Sequence, residues 1–372
     1  MKRVLNIAVD ARPFESPNSG MGRYLGSLLR EFALGSAPHR FFLYSARPFQ
    51  LGFPLPEHWK IRIGNLRHFG SHTAIRQFFF PLWSLKDRID VFWSPCHQLP
   101  LLLPPSSRKV LTVHDLVWKR FPQTMSRGNL LFEALMMPLS LRFANQAITD
   151  SQFSRSEIIA YFPKAKKKLE VVYLASSLKA DGETAACPLS KPYFLTVGSY
   201  EPRKNFERML KAYIQYRKVS EQPLDLVIVG TGQWGNFSVK DFVESNQLEP
   251  FVHTFQRTED TTLRALYANA RALIMVSLYE GFGLPMVEAM QWGVPLIASN
   301  TSSTAEIAGD AALLVDPYNT DEIAQACKRI AEDNTLHREL GERARSRGLL
   351  FSWKRAASET MALLVGDVAL AN

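Results

Sequence analysis

Eleven short, mainly apolar runs punctuate this chain, and they constrain its fold more than any other feature. They lie at 4–9, 41–44, 91–94, 110–113 and 147–149, then at 194–197, 226–229, 252–255, 273–276, 296–298 and 312–315. A strand with one wet face alternates apolar and polar residues. A continuous apolar run predicts a strand covered on both faces, as in parallel sheets flanked by helices. Between the runs, Phe206, Met209, Leu210 and Tyr213 recur at one-face helical spacing. At 372 residues the chain is too long for one core. The segment 176–190 is small, polar and aperiodic, as a linker is, and Lys191-Pro-Tyr-Phe-Leu-Thr-Val-Gly198 then restarts a strand. The pattern predicts two doubly wound α/β domains, Rossmann-like, over 1–180 and 190–350, with 351–372 as a final segment. Such sheets bind ligands at the carboxyl ends of their strands, which predicts a cleft between the two domains.

Bulk properties narrow the function classes. Hydrophobic residues make up 46% and charged residues 21%, ordinary for a folded protein. No apolar run reaches membrane-spanning length, and the basic start Met1-Lys-Arg-Val-Leu-Asn-Ile-Ala-Val-Asp10 leads into a strand rather than a signal sequence. Cys96, Cys187 and Cys327 are widely spaced, which predicts neither a metal cluster nor a disulfide framework, and points to the reducing cytoplasm. Residues 1–180 carry 25 Lys+Arg against 11 Asp+Glu, a surplus of +14; the remaining 19 and 24 give −5. A basic first half predicts a phosphate-bearing partner: anionic lipid, a pyrophosphate-linked acceptor, or nucleic acid. No nucleic-acid motif accompanies the charge, so no nucleic-acid partner is expected.

Two motifs carry chemistry. Glu280-Gly-Phe-Gly-Leu-Pro-Met-Val-Glu288 follows an apolar run and predicts strand, glycine loop and helix N-terminus, with Pro285 in the first turn. Its glycines allow close backbone approach to a ligand, and the helix end favours negative charge. Gly198-Ser-Tyr-Glu-Pro-Arg203-Lys204-Asn205 follows the first strand of the second half. Two cations beside a helix N-terminus make an anion site.

Together these motifs resemble those of the retaining nucleotide-sugar glycosyltransferases of family 4, which have the GT-B fold. Further similarities run along nearly the whole chain. They are Gly20-Met-Gly22-Arg23-Tyr24 after the first strand, His114-Asp115 after another, and Thr149-Asp-Ser151-Gln-Phe-Ser154. Later come Asn300-Thr-Ser-Ser-Thr-Ala-Glu306, Gly309-Asp-Ala-Ala-Leu-Leu-Val-Asp-Pro317 and Phe351-Ser-Trp353. The resemblance implies that Arg203 and Lys204 hold the donor diphosphate, that Glu288 accepts ribose hydroxyls, and that Glu280 faces the transferred sugar. It implies backbone contacts from Phe282, Gly283 and Leu284, with Gly198 and Gly230 also on the donor side. His114 is implied to contact the sugar from the opposite domain. Gly20, Gly22, Arg23 and Tyr24 are implied on the acceptor side, and the last helix to cross back onto the first domain. A hexose is implied to move from a nucleotide diphosphate sugar, GDP-mannose first and a UDP-sugar second, to a saccharide acceptor, polyprenyl-pyrophosphate-linked, in bacterial polysaccharide synthesis.

Several rivals share parts of this pattern. The chain has no Asp-x-Asp, so the basic pair is expected to replace a divalent metal, with no cofactor. A paired-carboxylate hydrolase needs a nucleophile, and Glu288 falls inside a helix instead. Gly230-Thr-Gly232-Gln-Trp-Gly235 matches a dinucleotide fingerprint, but follows the second strand of its half, and Glu249 ends no strand. A phosphorylase or synthase of the same fold remains the nearest different chemistry. The stretches 76–83 and 129–142 are apolar with basic flanks, and Lys164, Lys166, Lys167 and Lys168 form a cationic run. Together they predict docking on an anionic membrane surface, the inner face of the cytoplasmic membrane.

Overall fold

The computed structural model describes residues 3–17, 19–35, 38–64, 75–178, 182–232, 237–256 and 258–366. The chain divides into two compact units, one of residues 1–174 with 352–372, the other of 175–351. The division falls a few residues before the segment read as a linker, whose residues 179–181 lie outside those described. The final segment belongs to the first unit.

The first unit is built on a seven-stranded sheet of β1 (Asn6–Asp10), β2 (Arg40–Ser45), β3 (Lys60–Ile63), β4 (Val91–Ser94), β5 (Arg108–Thr112), β6 (Gln146–Thr149) and β7 (Leu169–Val171). Their order is β3-β2-β1-β4-β5-β6-β7, and every pairing is parallel. Successive residues of the central strands are buried on opposite faces, as the continuous apolar runs require. One face carries Ala8, Phe42, Phe92 and Leu111, packed under Phe80, Met137 and Leu141. Helix α1 (Gly20–Leu34) begins at Ser19, whose Oγ accepts from Gly22 N at 3.1 Å. The last helix, Trp353–Val365, packs on α1 and on β4, β5 and β6.

The second unit repeats the plan with six strands: β8 (Tyr193–Val197), β9 (Asp225–Val229), β10 (Val252–Phe255), β11 (Ala272–Met275), β12 (Leu296–Ser299) and β13 (Ala312–Val315). Their order is β10-β9-β8-β11-β12-β13, again all parallel. Strand order therefore reverses between β1 and β4 in the first unit and between β8 and β11 in the second. At these points the two flanking connections leave toward opposite sides and open a crevice at the carboxyl ends of the strands.

Two strands carry no continuous apolar run, β3 and β7, and both are sheet edges. Lys60-Ile-Arg-Ile63 is largely exposed, and β7 is three residues long. Short, charged edges discourage pairing with other chains, and the same property erases the apolar signal.

Candidate active site

At the reversal point of the second sheet the chain leaves β8 through Gly198, Ser199, Tyr200 and Glu201. It makes one tight helical turn, Pro202–Lys204, and enters the helix α2 (Phe206–Val219) at Asn205. Asn205 takes the left-handed conformation, φ 63° and ψ 30°, which Asn tolerates better than most residues. Its buried Nδ2 donates to Val276 O at 2.9 Å and to Pro317 O at 2.8 Å. Leu278 N donates to Arg203 O at 2.7 Å. The basic turn is thus pinned to the loops that follow β11 and β13.

This pinning brings the two sequence motifs together. Arg203 Nη1 donates to Glu280 Oε2 at 2.9 Å and to Tyr279 O at 3.2 Å. Lys204 Nζ donates to Glu280 Oε1 at 2.5 Å. One carboxylate therefore bridges both cations, with Glu280 only 5% exposed. Burial alone pushes the Glu280 carboxyl up, but Lys204 and Arg203 outweigh it and hold the acid below its usual range. Burial pulls the Lys204 ammonium down; Glu280 opposes this, and the Arg203 charge adds to it.

Beyond Glu280 the glycine loop turns into the helix α3 (Leu284–Gln291), with Pro285 in its first turn and no side-chain cap. Gly283 has φ +105°, and a Cβ there would lie 2.6 Å from Met286 Cε, so a side chain is excluded twice. Ser303 Oγ donates to Glu280 O at 2.9 Å and Phe282 O at 3.1 Å, holding the loop's carbonyls. The Phe282 ring is buried edge-on against Phe351, centroids 5.8 Å apart, so only its backbone can serve a ligand. No side chain caps the α3 N-terminus, where the helix dipole favours an anion. Glu288 sits one turn inside α3, and its Oε2 accepts from Tyr267 Oη at 2.7 Å. Tyr267 in turn stacks on Trp292 at 5.6 Å.

The donor-side glycines differ from one another. A Cβ on Gly230 would lie 2.0 Å from Gly198 O, whereas one on Gly198 would meet Lys204 only at 3.8 Å. Gly230 is therefore glycine so that the exits of β9 and β8 can pass closely, which also accounts for the start of the apparent dinucleotide fingerprint. Gly235 of that fingerprint lies outside the described residues.

In the first unit, His114 follows β5. Its Nδ1 is 2.7 Å from Asp150 Oδ2 and its Nε2 is 2.9 Å from Pro95 O. Each ring nitrogen thus faces an oxygen, and the charged imidazole could donate to both. Burial opposes this charge, but Asp150 prevails and raises the imidazolium's range. To donate from its ring to a sugar hydroxyl, His114 must give up one of these bonds. Tyr24, expected beside the acceptor, is instead a core residue at 1% exposure, edge-on to His114 at 4.8 Å and near Thr112 Oγ1 at 3.2 Å. Gly22 answers to packing, since a Cβ would lie 2.5 Å from Ser16 O; Gly20 opens α1, and Arg23 is half-buried. Arg76, expected to flank a membrane-facing stretch, is also buried, donating to Gln98 Oε1. At the reversal point of this sheet, Arg12 grips both carboxylate oxygens of Asp10 and donates to Cys96 Sγ at 3.1 Å.

Sequence reasoning assigned no role to Asn205, Ser303, Tyr267, Asp150 or the Asp10–Arg12 pair. An Asn directly before a helix was a legible signal for a left-handed junction. Asp150 lay within the Thr149–Ser154 motif without a role of its own, and Tyr267, from a distant segment, left no signal. Among the described residues no three His, Cys, Asp or Glu side chains cluster as metal ligands. Also among them, no helix is long and apolar enough to cross a membrane.

Comparisons with known proteins bear on the family and the fold. The family model described as "Glycosyl transferases group 1" matches residues 183–347, which span the second unit's site. The O-antigen chain mannosyltransferase B of Escherichia coli is 28% identical over 96% of this chain and 98% of its own. The structure of a sucrose-phosphate synthase from Thermosynechococcus elongatus superposes with a TM-score of 0.78 at 21% identity, covering 99% of this chain and all of its own. An Anabaena protein solved in complex with UDP-glucose gives 0.70 at 17% identity, covering 96% of this chain and 99% of its own. The fold, two parallel-sheet α/β domains, is that of the GT-B glycosyltransferases. The chain is thus similar over nearly its whole length to a bacterial O-antigen mannosyltransferase, and its second unit matches the group 1 glycosyltransferase model.

Proposed function

We propose that this chain transfers mannose, with retention, from GDP-mannose to a saccharide acceptor carried on a polyprenyl pyrophosphate, and that it needs no metal. The observation that carries this reading is the buried Arg203–Glu280–Lys204 bridge at the reversal point of the second sheet. Cleaving a glycosyl phosphate develops negative charge on the departing diphosphate. Two fixed cations and the α3 N-terminus stabilise that charge where other glycosyltransferases use a divalent ion. Glu280 turns its oxygens to the sugar hydroxyls, and Glu288 accepts from the ribose. The bond from the anomeric carbon to the diphosphate oxygen breaks, the acceptor oxygen bonds to the same face of that carbon, and its proton passes to the leaving diphosphate. Neither carboxylate is placed as a hydrolase's nucleophile, since Glu280 is held by two cations and Glu288 by Tyr267.

Mannose is favoured by the name of the E. coli relative, which matches along almost the whole chain. A UDP-sugar donor is the second reading, favoured by the Anabaena structure with UDP-glucose. Release of nucleoside diphosphate across a panel of nucleotide sugars separates them. GDP-mannose is expected to be turned over fastest, and preference for UDP-glucose overturns the mannose reading. Free phosphate acting as acceptor identifies a phosphorylase instead.

A lipid-linked acceptor is supported by an exposed apolar face on the first unit. Phe78, Leu82 and Leu85 line one helix side at i, i+4 and i+7, and Leu131 and Leu135 are exposed on the helix Arg127–Phe143. Leu101 and Leu102 are exposed beside them, with Leu101 N donating to Gln77 Oε1 at 2.9 Å. Lys86, Arg127 and Arg142, on the same two helices, are exposed as well. Exposed apolar residues together with cations suit an anionic bilayer surface. Flotation with anionic but not neutral liposomes is expected; no flotation with either sinks the membrane reading.

A further inference from the structure

The donor loop holds a second carboxylate to which the reaction above gives no part. Glu201 Oε2 accepts from Arg203 Nε at 2.7 Å, and its Oε1 accepts from Ser199 Oγ at 2.6 Å. The backbone closes around it: Glu201 N donates to Ser199 O at 2.8 Å, and Lys204 N to Glu201 O at 2.9 Å. Arg203 is thus held at Nε by Glu201 and at Nη1 by Glu280 and Tyr279 O, so its guanidinium can turn neither about its own axis nor out of plane.

We propose that Glu201 is a positioning residue of the donor site, which locks the Arg203 guanidinium in the plane that meets the donor diphosphate. The inference rests on the donor reading given above. Its logic lies in what happens to Glu280. That carboxylate bridges Arg203 and Lys204 before a donor arrives, and must turn to the sugar once one is bound. Arg203 then loses its carboxylate partner at Nη1, where the Tyr279 carbonyl remains, just when its orientation matters most. Glu201 faces away from this exchange, bound to Nε and braced by Ser199, and keeps the guanidinium in place throughout. A donor group that is fixed before charge develops stabilises a transition state more than one that must be gathered in. A loose surface ion pair contributes little, but this one is largely covered, with side chains 13% and 20% exposed, and joins residues of one rigid turn. Glu201 has a second effect. Its charge supports the Lys204 ammonium, alongside Glu280 and against burial and Arg203.

The test uses the full-length chain, with Glu201→Gln, Glu201→Ala and Arg203→Ala compared for nucleoside diphosphate release across pH. Glu201→Ala is expected to lower kcat about 10–100-fold with donor KM little changed, the scale of a misplaced group. Glu201→Gln keeps an acceptor for Nε and is expected to recover part of that loss. In both variants the alkaline limb of kcat moves to lower pH, because Lys204 has lost a supporting charge, while the melting temperature stays at the wild-type value. An unchanged kcat, or a lowered kcat with the alkaline limb in place, overturns the inference. If the Glu201 variants match wild type while Arg203→Ala is inactive, only this inference fails. Full turnover by Arg203→Ala removes the donor reading itself.

Discussion

Single residues in this protein carry opposite charges to opposite purposes. Glu280 is buried with its acid range lowered, and His114 is buried with its range raised, each because partners of the other sign outweigh burial. The signs give distinct pH dependences. The folded-state range of His114 is raised, so its contribution to stability is complete below about 6.5 and is lost as pH climbs through the raised value. Thermal denaturation from pH 6 to 9 is expected to show a decline in the wild-type melting temperature that His114→Asn lacks; parallel curves contradict the Asp150 pairing. Glu280 behaves in reverse, stabilising above about 4.5 and failing only as acid passes its depressed range. The glycines also separate. Gly230→Ala meets Gly198 O and is expected to cost about 2–3 kcal/mol or more. Gly198→Ala meets nothing closer than 3.8 Å and should be neutral or stabilise by about 0.5 kcal/mol. Equal losses in urea unfolding contradict the packing account. The residue pattern made Arg203, Lys204 and Glu280 legible as chemistry. It could not reveal that Tyr24 is core, because an aromatic near a glycine loop looks alike whether it meets a ligand or Thr112.

Elements were legible where burial was complete. The eleven apolar runs all became strands; nine are interior strands, which need apolar side chains on both faces, and β10 and β13 are edges. The two unread strands, β3 and β7, are edges whose charged residues belong to solvent. Junctions between elements were less legible, since they depend on long-range hydrogen bonds. Asn205 is the clearest case: one buried amide ties the turn after β8 to the chain beyond β11 and β13. Asn205→Ala leaves two carbonyl groups without that donor and is expected to cost roughly 2–4 kcal/mol. It should also reduce donor turnover, because the basic turn is no longer pinned. A variant as stable as wild type in chemical denaturation shows that the amide bonds contribute nothing.

At the scale of the whole molecule, the same doubly wound plan serves twice, with different residues at each reversal point. The first unit places Asp10, Arg12 and Cys96 there, and the second places Arg203, Lys204 and Glu280. Net charge divides the same way, with the basic surplus in the first half of the sequence. The central claim is that two fixed cations, rather than a metal ion, carry the diphosphate chemistry. Its most direct test is kcat for nucleoside diphosphate release from the preferred nucleotide sugar, measured in excess chelator for wild type and for Arg203→Ala. The account predicts full wild-type turnover under chelation and a loss of about 100–1,000-fold in the variant. Wild-type turnover abolished by the chelator and restored by Mg²⁺, or a variant as fast as wild type, contradicts it.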